Sequence, residues 1–155
     1  MKKNLALLLA VALAFTCMLG FGVTAEESAD DILVTVPMKA TVSILYAVKA
    51  ADNDSATVVI TAKGEETGLS DAATRLDGTY KIGDVEYILF EYSNLAASEM
   101  DVVVTAQIGE KTVKYSVAQF GAAYIAQYGE NLEYAKQVKL VKSMLAYGAA
   151  VAAMN

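Results

Sequence analysis

The residues best suited to chemistry in this chain are carboxylates and phenols, because the side chains that usually accompany them are missing. There are 18 Asp and Glu, nine Tyr, one Cys, and no His or Trp. Without imidazole, neither a Ser-His-Asp nor a Cys-His nucleophile can be assembled. Zinc, copper and haem sites draw on imidazole and thiolate ligands, and Cys17 is the only one on offer. Three groups remain as candidates. Asp52-Asn53-Asp54 alternates oxygen donors as a hard cation prefers, a weak possibility of calcium near Asp52 and Asp54. The EF-hand template fails there, since Thr57 stands at its glycine and Lys63 at its bidentate glutamate. A turn is the simpler reading. Tyr80, Tyr87 and Tyr92 fall on neighbouring hairpin segments, where three ring faces shown together would stack on a sugar. Glu91 is the best placed acid for a glycosidase pair, yet an acid on an aromatic strand is more often a solvated face charge.

These residues sit in a chain with a clear order. Met1-Lys2-Lys3, an apolar run from Leu5 to Leu19, and the small residues Val23-Thr24-Ala25 follow the pattern of a secretory signal. Cleavage is expected after Ala25, leaving residues 26–155 as one domain. Cys17 would leave with the leader, and Phe15-Thr16 before it does not suit lipidation. Two of the 12 basic residues, Lys2 and Lys3, lie in that leader, so ten face 18 acidic ones, a net charge of −8. Such a charge repels a phosphate backbone, so no nucleic-acid partner is expected. No later apolar stretch is long enough to span a bilayer, so no membrane contact is expected after cleavage.

Charge and periodicity change together near Ser116. Residues 26–115 alternate with period two; residues 116–155 repeat at three and four. Strands are predicted at Ile32–Val36, Thr41–Val48, Thr57–Ala62, Glu86–Tyr92 and Val102–Ile108, giving a β part over about 32–115. Gly64, Gly83 and Gly109 each take the first central position of a four-residue turn, where a type II′ hairpin needs positive φ. Asp77-Gly78 supplies another turn, and the tract from Gly68 to Thr74 reads as a loop without assignment. Helices are predicted over about 117–128 and 132–152. Ser116 and Gln119 form a capping box, and Gly129 is expected as a left-handed stop. On the second helix Val138, Val141, Leu145 and Gly148 share a face, and Tyr147-Gly148 is expected to be a packing motif. Glycine there permits close approach of the sheet or of the first helix. Lys136, Lys139 and Lys142 form the polar side. The fold class is α+β: an antiparallel β-sheet or sandwich with two C-terminal helices packed against it.

The run Leu140-Val141-Lys142-Ser143-Met144-Leu145-Ala146-Tyr147-Gly148-Ala149-Ala150 resembles the ending of a module in secreted surface proteins of Gram-positive, gut Firmicutes-type bacteria. Tyr115-Ser116-Val117-Ala118-Gln119-Phe120 resembles the segment that precedes that ending. Leu45–Ala50 and Leu95–Met100 resemble an early strand and a turn of the same module, so the likeness runs from about Thr41 to Ala152. It implies a location and a shape and carries over no catalytic residue. The expectation is therefore a secreted, non-catalytic interaction or scaffold module that binds a protein or a cell-envelope glycan. A carbohydrate-binding module using the exposed tyrosines is the alternative, and a small glycan-active hydrolase comes third.

Overall fold

A computed structural model describes residues 32–37, 41–50 and 56–154. The leader, Cys17 and the Asp52-Asn53-Asp54 turn lie outside these residues. Among the described residues, nine strands form two antiparallel sheets. The first has the order β1 (Ile32–Thr35), β2 (Ile44–Lys49), β7 (Val85–Tyr92), with β5 (Thr74–Arg75) and β6 (Tyr80–Ile82) both on the far side of β7. The second runs β4 (Glu66–Ala72), β3 (Val58–Lys63), β8 (Val104–Ile108), β9 (Lys111–Tyr115). Two α-helices among the described residues, α1 (Val117–Tyr128) and α2 (Ala135–Ala152), close the domain. This is the expected α+β fold.

The core follows the two-residue period. Ile44, Tyr46 and Val48 of β2, and Ile88, Phe90 and Tyr92 of β7, turn towards Val58, Ile60, Val104 and Ala106 of the second sheet. Val117, Phe120 and Tyr124 of α1 and Val138 and Val141 of α2 extend the same core. The tight turns hold as expected, with Gly64, Gly83 and Gly109 at φ of 61°, 62° and 61°.

The tract from Gly68 to Thr74 is strand, not loop. It forms most of β4, then crosses at buried Ala73 into the first sheet as β5. Ala73 N–H donates to the Val58 carbonyl (2.9 Å), and Leu76 N–H to that of Leu89 (2.8 Å), so the crossing is bonded to both sheets. No apolar alternation marks it because β4 is an edge strand and largely exposed. Its register also shifts opposite Ile60 and Ala62, and Gly68 takes a φ of 75° in the interrupted stretch.

The start of α1 is as the spacing required. Gln119 N–H donates to Ser116 Oγ (3.1 Å), and Ser116 N–H donates to Gln119 Oε1 (2.8 Å). Ser116→Ala is expected to lose about 0.5–2 kcal/mol in urea unfolding, and Ser116→Thr, which keeps the acceptor, to lose less. Equal losses would exclude a cap. Gly129 departs from expectation: its φ of −57° and ψ of −30° are right-handed. Glycine is needed there for another reason, since a Cβ would collide with the Ile125 carbonyl, which already accepts the Gly129 N–H at 2.8 Å. The chain then passes through a 3-10 turn, Leu132–Tyr134, whose start is capped by Asn131 Oδ1 accepting from Glu133 N–H (3.0 Å). Phe120, Tyr124, Tyr128 and Tyr134 stack in sequence at centroid spacings of 5.7, 4.8 and 4.5 Å, stapling that turn to α1.

Candidate interaction groove

Tyrosines 80, 87 and 92 make no common platform. Residues 87 and 92 differ by an odd number along β7, so their rings leave opposite faces of the sheet. Tyr92 is 2% exposed in the inter-sheet core, and Tyr87 is 7% exposed on the other face beside Leu45 and Leu89. Tyr80 pairs with Tyr87 across the hairpin and is half-buried. Glu91 is half-buried on the same face as Leu45 and Leu89, not a freely solvated strand charge. Among the described residues, no group of three His, Cys, Asp or Glu side chains is arranged to hold a metal.

One concavity among the described residues lies between α2, the turn after β7, and the residues joining β1 to β2. Its volume is about 400 Å³, and Pro37, Val42, Leu95, Met100, Met144 and Tyr147 form most of its wall. Ser93 and Thr41 supply hydroxyls, and none of the described residues that line it is a carboxylate. The wall is set by a short 3-10 turn, Ala97–Glu99, fixed from four sides. Glu99 Oε2 accepts the Ala96 N–H (2.8 Å), half of a capping box, since alanine has no acceptor to return. Glu99 Oε1 meets Lys63 Nζ at 2.9 Å, tying the turn to the second sheet. The Met100 carbonyl accepts the Ala118 N–H (2.7 Å) from the first turn of α1. On the fourth side Gly148 of α2 lies against it, where an added Cβ would stand 3.0 Å from the Ala97 carbonyl and 2.6 Å from Met100 Sδ.

Gly148 is thus buried as expected, but against this turn and not against the sheet or α1. The close approach between the helices falls instead at Gly121, where a Cβ would come within 2.7 Å of Leu145. Tyr147 is not a core residue. Consecutive helix positions point about 100° apart, so burying Gly148 swings Tyr147 outward to 62% exposure at the groove's rim. Leu140 and Met154, each seven residues away on α2 and just beyond it, share that side and are 53% and 77% exposed.

Beside the groove, Asp71 accepts bonds from Ala72 N–H (2.9 Å) and Asn94 Nδ2 (3.2 Å), and the Tyr92 hydroxyl also bonds to it. Burial, chiefly, raises the Tyr92 phenol. The Ala96 amide, followed by Lys63, holds the Glu99 carboxyl below its ordinary 4.5, and the bond to Glu99 raises Lys63 above 10.5. A lowered folded pKa adds stability above pH 4.5 and loses it as pH falls through the folded value. Glu99→Gln is therefore expected to cost up to about 1 kcal/mol at pH 7 and to flatten the acid limb of melting temperature against pH. A mutant limb as steep as the parent's would remove Glu99 from the account.

Met100 and Met144 lie in the segments that carry the resemblance, but nothing in those segments identifies them as groove walls, and the contact at Gly121 has no sequence signal. The seven-residue spacing of Leu140, Tyr147 and Met154 was legible, but exposure cannot be read from spacing alone. No protein-family model, curated protein or solved structure matches the chain.

Proposed function

We propose that the chain works outside the cell as a non-catalytic module that binds a protein partner along α2 and its groove. The observation that carries this reading is the exposed apolar row Leu140–Tyr147–Met154 beside a concavity whose described wall is mostly apolar. Exposed apolar surface contiguous with a groove marks a contact site more often than a solvated face. Lys136, Lys139 and Lys142 are exposed on the same helix, which favours acidic groups in the partner. The extracellular setting rests on the leader-like start, and no described helix is long and apolar enough to cross a membrane. Sugar binding by Tyr80, Tyr87 and Tyr92 loses its support, because two of the three rings are buried.

Two measurements test this. Protein recovered from outside the cells should begin at Glu26. It should also bind the native cell envelope, and Leu140→Glu with Tyr147→Glu should weaken that binding at least about thirtyfold, the roughly 2 kcal/mol of one hot-spot contact. Both positions are exposed, so the melting temperature should stay within a few degrees. Undiminished binding by the double variant would overturn the assignment of this face.

A further inference from the structure

From Ser143 to Met154, the second half of α2 and its cap, no residue carries a charge. Gly148 is buried and Met144, Leu145 and Val151 are half-buried, whereas the rest of that tract is exposed. A surface helix normally shows charge on its solvent side, and a helix that is apolar all round is a covered one. Among the described residues, none covers this stretch.

Three features of the tract fit a second copy of the same chain. The first is spacing. Leu140 and Met154 stand seven residues before and after Tyr147, about 10.5 Å from it along the axis and on the same side. Two α2 helices crossing antiparallel, with a twofold axis at Tyr147, set Leu140 against the second copy's Met154 and Tyr147 against its counterpart. A twofold contact requires that reciprocity. Ser143 and Ala150, about a turn to either side of Tyr147, are small and exposed, so the helices can approach closely.

The second feature is charge. The whole chain carries −6, whereas residues 116–155 hold Lys136, Lys139 and Lys142 against Glu130 and Glu133, a net of +1. Two acidic chains repel each other least at this end. The third is the helix terminus. α2 has no basic residue in its last turn to offset the negative end of its dipole. Antiparallel pairing about Tyr147 brings exposed Lys139 to that end of the second copy's helix, where its ammonium reaches the terminal carbonyls.

We propose that the partner of α2 is a second copy of this chain, the two helices pairing antiparallel about Tyr147. The pairing rests on the reading of α2 as a protein-binding face and is independent of export. One helix pair is small beside a standard interface, so dilute protein is monomeric and dimer forms as concentration rises.

Sedimentation equilibrium of the full chain should show monomer passing to dimer. Tyr147→Glu sets two carboxylates together at the axis and should weaken the dimer at least about tenfold. The position is exposed, so the far-ultraviolet circular dichroism should not change. Orientation is read with a short bismaleimide on chains carrying Cys17→Ser and one new thiol. Leu140→Cys mixed with Met154→Cys should join, and Tyr147→Cys should join to itself, but Leu140→Cys alone should not. Monomer up to about 1 mM, association unchanged by Tyr147→Glu, or Leu140→Cys joining to itself would each overturn the pairing. Envelope binding is a separate readout. Monomers whose envelope binding falls with Leu140→Glu and Tyr147→Glu would uphold a foreign partner on α2 and reject the second copy. Dimers that this double variant dissociates without loss of envelope binding would do the reverse.

Discussion

Gly148→Leu is expected to lower stability by about 1–3 kcal/mol or more, and Gly148→Ala by much less. The ranking comes from what surrounds the position. A single Cβ meets Met100 Sδ at 2.6 Å and the Ala97 carbonyl at 3.0 Å. The sulfur belongs to a flexible side chain and can retreat into the neighbouring groove. The carbonyl belongs to a turn held by Glu99, Lys63 and Ala118 and has little room to give. Alanine also recovers about 0.8–1 kcal/mol of helix propensity, which offsets part of the crowding. Leucine recovers a similar amount but brings three further carbons into a closed contact. It must therefore push α2 off the Ala97–Glu99 turn. Urea unfolding at neutral pH checks both, and the groove supplies a control. Met100→Ala removes the atom nearest the added Cβ, so the double variant with Gly148→Ala should lose less than the sum of the two single losses. Leucine tolerated as well as alanine would mean that α2 and the turn are not in close contact.

What could be read from the residues, and what could not, divides along physical lines. Strands with one apolar face and one polar face announce themselves, as β3 and β8 do, and so does a reciprocal cap such as Ser116 with Gln119. β4 escaped because an exposed edge strand has no apolar alternation to find, and its register is set by backbone pairing with β3. The three tyrosines lie close in sequence, but the parity of positions 87 and 92 assigns those two to opposite faces. The residue type at Gly129 suits a left-handed stop. Its actual need is space beside the Ile125 carbonyl, which only three-dimensional packing reveals. Gly148 was legible as a close contact, while its neighbour was not, because the Ala97–Glu99 turn lies about 50 residues away in sequence. The groove shares that difficulty: Pro37, Leu95 and Met144 come from three distant segments, and no local pattern joins them.

Deleting Leu140–Asn155 should abolish cooperative unfolding of the whole domain, although the deletion leaves every strand intact. The reason lies in what the last turns of α2 cover. Val141 is almost fully buried, and Met144 and Leu145 are half-buried against the same core. Fully burying one side chain of that size contributes about 1.5–3 kcal/mol, so the three together account for roughly 5 kcal/mol. Removing them also uncovers Gly121, opposite Leu145, and leaves Met100 without the helix beside it. A domain whose total stability is about 5–15 kcal/mol cannot lose this much and keep a sharp transition unless its sheets are unusually stable. The expected product retains strand signal in far-ultraviolet circular dichroism, loses fixed tyrosine packing in the near ultraviolet, and binds bis-ANS. The exposed row offers the counterpart. Leu140→Ala with Tyr147→Ala should leave the transition nearly unchanged, because both side chains already stand mostly in solvent. If the truncated chain instead melts sharply near the parent temperature, α2 is not part of the core. Its buried face would then have to be assigned to a partner along with the exposed one.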